Sequence, residues 1–136
     1  MEKIEIKELM AGNDDETLWV SIGFSSELEE LDVLHLVCAE ELDDQDVASG
    51  MDGIYLERFD QAYSCYKGAS QILVEHNSIL IQLNKLGMES LDFPNEVMFM
   101  IPNSIEKIKD AKNVLRKMAS LQWGNIIKFA EQTHSS

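Results

Sequence analysis

The stretch Thr17-Leu18-Trp19-Val20-Ser21-Ile22-Gly23-Phe24 decides the fold. Leu18, Val20, Ile22 and Phe24 fall on one side of an extended chain; Thr17, Trp19, Ser21 and Gly23 fall on the other. A period of two predicts a strand with one face turned to a core. Upstream, Lys3 to Leu9 alternates in the same way, with Ile4 and Ile6 on one side. Between them, Gly12-Asn13-Asp14-Asp15 is a cluster of turn formers, so the three segments predict an N-terminal hairpin.

Downstream, Leu31 to Ala39 is a denser apolar run that fits either a strand buried on both sides or a short helix. Gly50 and Gly53 mark a loop. Ile54 to Asp60 and Ala62 to Tyr66 are rich in aromatic and β-branched residues and predict strands. Gln71 to Glu75 and Ile79 to Leu83 predict a second hairpin around His76-Asn77-Ser78, ending at Leu86-Gly87-Met88. Glu96 to Ile101 predicts a further strand after Pro94.

After Pro102 the period changes. Ile105, Ile108, Ala111, Leu115 and Met118 recur at spacings of three and four, which predicts a helix with one apolar stripe. Asn103 or Ser104 can cap its start, and Lys112, Arg116 and Lys117 fall late, where cations suit a helix C-terminus. Trp123, Ile126, Ile127 and Ala130 extend the helical spacing, although Gly124 weakens it. The expected fold class is α+β: a largely antiparallel sheet with one or two C-terminal helices packed on one face. Residues 1–136 are expected to form one domain, with strands to residue 101 and helix from 102 to 130.

Charge is the unusual feature of the composition. The 136 residues carry 25 acidic and 11 basic side chains, a net of -14. Residues 1–60 hold 18 of the acids against Lys3, Lys7 and Arg58. Such a field repels nucleic-acid phosphates and anionic lipid, and it attracts basic protein surfaces. It also serves solubility alone. No segment resembles a signal peptide or a spanning helix, and two cysteines make no disulfide framework. The expected location is the cytoplasm.

No constellation of catalytic residues stands out. His35, His76 and His134 lack the spacing of a helical metal pair, and Cys38 and Cys65 form no metal-binding motif. Asp44-Gln45-Asp46 has the start of a calcium loop, but Ala48, Ser49 and Tyr55 stand where that loop needs ligands and a glycine. Ser64 and Cys65 have no histidine close in sequence to activate them. The expectation is a protein without catalytic residues, metal or cofactor. Tyr55, Phe59, Tyr63 and Tyr66 interleave with Glu57 and Asp60, which suits either a core or a surface for a cationic partner. Charge density alone selects Glu40, Glu41, Asp43, Asp44, Asp46, Glu57 and Asp60 as contact residues.

Gly50-Met51-Asp52-Gly53-Ile54-Tyr55-Leu56-Glu57, followed by Asp60-Gln61 and by Tyr63-Ser64-Cys65-Tyr66-Lys67-Gly68, resembles the immunity protein 10 family of bacterial polymorphic-toxin systems. The positions that carry the resemblance are Gly50, Met51, Asp52, Tyr55, Glu57, Asp60, Gln61 and Gly68. The resemblance implies a cytosolic antitoxin that binds a cognate toxin and blocks its active site or a neighbouring surface. A toxin that acts on nucleic acid has a basic active surface, which an acidic partner would match. The alternative reading is a small ligand-binding or regulatory domain without catalysis.

Overall fold

A computed structural model describes residues 1–27, 30–41, 48, 53–121 and 126–130. Its strands are β1 (Glu2–Glu5), β2 (Glu8–Asp14), β3 (Thr17–Phe24), β4 (Asp32–Ala39), β5 (Tyr55–Arg58), β6 (Ser64–Tyr66), β7 (Ala69–Val74), β8 (Ser78–Leu83), β9 (Glu96–Met100) and β10 (Ile127–Phe129). Among the described residues two helices are bounded, α1 (Lys85–Leu91) and α2 (Ile108–Ser120). The class is α+β, and the strands divide into two five-stranded sheets. The first sheet has the order β1-β9-β8-β7-β10 and the second β2-β3-β4-β5-β6. All pairs in the second sheet are antiparallel; in the first, the edge pairs β1–β9 and β7–β10 are parallel.

Register explains the alternation in the sequence. Ala11, Val20, Leu36, Leu56 and Cys65 are opposite one another across the second sheet and face the core. Ile72, Val74, Ile79, Ile81, Val97 and Phe99 supply the first sheet's half of the same cluster. Phe24 and Phe99 join the halves, with ring centroids 5.3 Å apart. Leu31 to Ala39, which sequence left between strand and helix, contains β4, a central strand with every second residue buried.

The chain changes sheet at two corners. Ile6 N–H donates to Met100 O of the first sheet at 2.9 Å, and Lys7 N–H donates to Gly23 O of the second at 2.7 Å. The single strand expected over Lys3 to Leu9 is therefore two strands meeting at a bend, a device for building corners between packed sheets. The expected turn at 12–15 is also shifted. Residues 12–14 continue β2, and the reversal falls on Asp15 and Glu16, with φ of 51° and 62°. Positive φ at both central residues matches the twist of a two-residue hairpin.

The second corner lies between β6 and β7. Gly68 is buried there, and a Cβ on it would stand 2.9 Å from Gly87 Cα of α1. Asn84 caps α1, accepting from Gly87 N–H at 2.9 Å, and its amide donates to Lys67 O at 2.7 Å. This helix was not expected, because Gly87 reads as a breaker. The glycine is instead what lets helix and corner approach backbone to backbone.

The expected helix over 102–130 is shorter at both ends. Ile105 N–H donates to Pro102 O at 3.1 Å in a turn, and Lys107, with φ of 64°, precedes the first helical residue in place of Asn103 or Ser104. Ala111, Leu115 and Met118 are buried, and α2 lies against β2, β3 and β10. Beyond it, Ile127 to Phe129 pair with β7; Ile72 N–H donates to Ile126 O at 2.8 Å. An unpaired sheet edge offered these β-branched residues backbone partners, and that overrode their helical spacing. Trp123 and Gly124 lie outside the described residues.

Candidate interaction surface

The outer face of the second sheet mirrors its inner one. Gly12, Trp19, Val37, Tyr55 and Tyr66 are opposite one another in one row, and Met10, Ser21, His35, Glu57 and Ser64 form the next. Trp19, Val37, Tyr55 and Tyr66 are half-buried, Met10 is 47% exposed, and none of them belongs to the core cluster. No described helix lies on this face. An apolar and aromatic sheet face that no described helix covers, in a chain of this charge, has the composition of an interaction surface.

Local chemistry fixes the side chains in this row. The Trp19 indole lies over Gly12, where a Cβ would come within 2.7 Å of the ring. Its Nε1–H donates to Asp14 Oδ2 at 2.9 Å. The Tyr55 hydroxyl donates to Glu57 Oε1 at 2.7 Å, and its ring centroid is 5.0 Å from that of Tyr66. Burial pushes the Tyr55 phenol above its ordinary pKa; a hydrogen bond with Ser64 opposes the shift and Glu57 adds to it. Ser21 Oγ and His35 Nδ1 share a hydrogen bond of 2.7 Å.

The aromatic cluster predicted over Tyr55 to Tyr66 is thus at the surface. Tyr55 and Tyr66 share the sheet face, while Phe59 and Tyr63 stack across the adjoining turn with centroids 5.0 Å apart. Of the residues selected by charge, Glu57 is on this face. Asp60 is exposed in that turn, where Oδ1 accepts from Ala62 N–H at 3.0 Å. Gln61 O accepts from Ser64 Oγ at 2.7 Å in the same turn. Glu40 forms an ion pair of 2.7 Å with Lys117, and Glu41 is exposed. Asp43, Asp44 and Asp46, with the motif residues Gly50, Met51 and Asp52, lie outside the described residues. Gly68 serves the corner. Sequence alone does not single out Trp19 or Asp14: Trp19 lies in the outward half of the best strand, and Asp14 reads as a turn residue although it ends β2.

Among the described residues, no group of three or more His, Cys, Asp or Glu side chains is placed to hold a metal ion. His35 faces outward while Cys38, three residues on, is buried on the inner side. Burial pushes the half-buried Cys65 thiol above its ordinary pKa, which disfavours the nucleophilic thiolate. Arg58 is engaged by Asp32 Oδ2 at 3.0 Å and by Leu91 O and Asp92 O at 2.9 and 2.7 Å. A cleft of about 530 Å³ runs past it, lined by Glu2, Ser26, Glu27 and Asp92 among others. That lining is polar and acidic, unlike the mostly apolar pockets that enclose small ligands.

The profile of the immunity protein 10 family matches residues 5–109, and the chain belongs to that family. No curated protein and no solved structure matches it. The matched span runs from β1 into α2 and contains both corners and the whole second sheet. The chain is therefore of the class that neutralises toxins in general. No described helix is long and apolar enough to cross a membrane.

Proposed function

We propose that the chain is a cytoplasmic antitoxin that binds its cognate bacterial toxin one to one and occludes the toxin's active or substrate-binding surface. Family membership over residues 5–109 carries this reading. The acidity of residues 1–60 and the apolar, aromatic outer face of the second sheet support it. The partner is a protein with a basic surface, drawn in by long-range attraction and held by short-range contacts. The mechanism needs no catalytic residue, metal or cofactor. All 136 residues act as one domain. Glu40, Glu41, Asp43, Asp44, Asp46, Glu57 and Asp60 contribute the attraction, with Glu57 in the contact itself.

Coexpression with the protein encoded immediately upstream tests this. The expected result is an equimolar complex that copurifies at low salt and weakens at high salt, because exposed charges are screened. Failure to copurify at either salt would return the weight to a ligand-binding or regulatory domain.

A further inference from the structure

Two carboxylates on the outer face of the second sheet are each fixed beside an aromatic ring. Asp14 is held by the Trp19 indole at 2.9 Å, and Glu57 by the Tyr55 hydroxyl at 2.7 Å, with the Tyr66 ring alongside. Both donors are neutral, so neither supplies a compensating cation, and each carboxylate has further lone pairs. A ring face next to a fixed carboxylate suits a guanidinium or ammonium group. The ring attracts the cation, and the carboxylate accepts its N–H groups. The chain's own Arg58 and Arg116 stack elsewhere, on Phe24, Phe93 and Phe129. Trp19 and Tyr55 are separated by β4, with Val37 between them in register.

We infer that this face seats two basic side chains of the toxin, about 10 Å or two strand spacings apart. One sits over Trp19 and Asp14, the other over Tyr55, Tyr66 and Glu57, and Val37 meets an apolar group between them. The inference rests on the antitoxin reading and names its contact surface. Charge complementarity selects the occupant. Nucleic acid is repelled by the same carboxylates, and a second copy would present its own acidic face.

The first test uses a probe in place of the toxin. N-acetyl-arginine amide is titrated into the full chain and followed by NMR, with the neutral N-acetyl-citrulline amide as control. The arginine compound should shift the Trp19 indole N–H and the Tyr55 and Tyr66 ring signals at least about threefold more than the control. Glu57→Gln should remove the response at the tyrosines and keep it at Trp19; Asp14→Asn should do the converse. Equal shifts with both compounds, or responses unchanged in the variants, overturn the inference.

The second test uses the upstream-encoded protein. Each variant should weaken the complex about tenfold or more, while Glu89→Gln, at an exposed position of α1, leaves it unchanged. Full affinity in both variants overturns the contact surface and leaves the antitoxin reading standing. Absence of a wild-type complex overturns both.

Discussion

Arg58 donates through Nε to Asp32 Oδ2 across 3.0 Å, with the carboxylate fully buried and the guanidinium nearly so. The guanidinium also stacks 3.9 Å from the Phe93 ring centroid and ties β5 to the end of α1 through the carbonyls of Leu91 and Asp92. Ser26 Oγ and Val33 N–H complete the acceptor side at 2.7 and 2.9 Å. Removing one partner leaves an uncompensated buried charge. Arg58→Met should therefore cost about 3–5 kcal/mol in urea unfolding. A loss below about 1 kcal/mol, the scale of an exposed pair, would contradict this account.

The corner at Gly68 makes a second prediction. Gly68→Ala would place a methyl group against Cys65 Sγ and against Gly87 Cα, and the second contact is with backbone of α1, which must shift to relieve it. Overpacking of this kind should cost about 1–3 kcal/mol and lower the Tm. An unchanged Tm would mean that helix and corner are not closely apposed.

Two residues of α2 should behave very differently. Leu115 is fully buried, so Leu115→Ala should destabilise by about 2–5 kcal/mol. Lys117 pairs with Glu40 at 2.7 Å, but its side chain is 47% exposed. Lys117→Ala should therefore cost less than about 1 kcal/mol, with a further reduction in high salt. Chemical denaturation of the two variants side by side checks the contrast.

Alkaline titration reports on Tyr55. Burial raises its phenol above the ordinary value of 10.0, with Glu57 adding to the shift against the hydrogen bond with Ser64. The folded chain then holds this proton more tightly than the unfolded chain. The associated stability is present below that ordinary value and is lost as pH rises through the raised one. The phenolate absorbance of wild type minus Tyr55→Phe should have its midpoint above 10.0. Glu57→Gln should move that midpoint down, and a midpoint at or below the ordinary value would refute the assignment.

Strands were legible where one face is buried, because burial writes a period of two into the sequence. β3 spans Thr17–Phe24 as its alternation predicts, and the hairpin of β7 and β8 follows its turn residues. What stayed hidden depended on contacts distant in sequence. The bend at Ile6 and Lys7 requires both sheets to exist. Gly87 is tolerable in a helix only because Gly68 lies against it. Ile126 and Ile127 became strand-like because β7 had a free edge. The interaction face was legible in part: Tyr55, Glu57 and Tyr66 lie within one motif, whereas Trp19 and Asp14 join them only through the register of β2, β3, β4 and β5.

The central claim is stoichiometric neutralisation, and an activity titration tests it most directly. The upstream-encoded toxin is held at a fixed concentration well above the dissociation constant, and its activity is measured against added chain. A linear fall to zero at one equivalent is the predicted result. Full activity at several equivalents, or complete loss at a small fraction of one equivalent, would contradict it; the latter would mean that the chain acts as a catalyst.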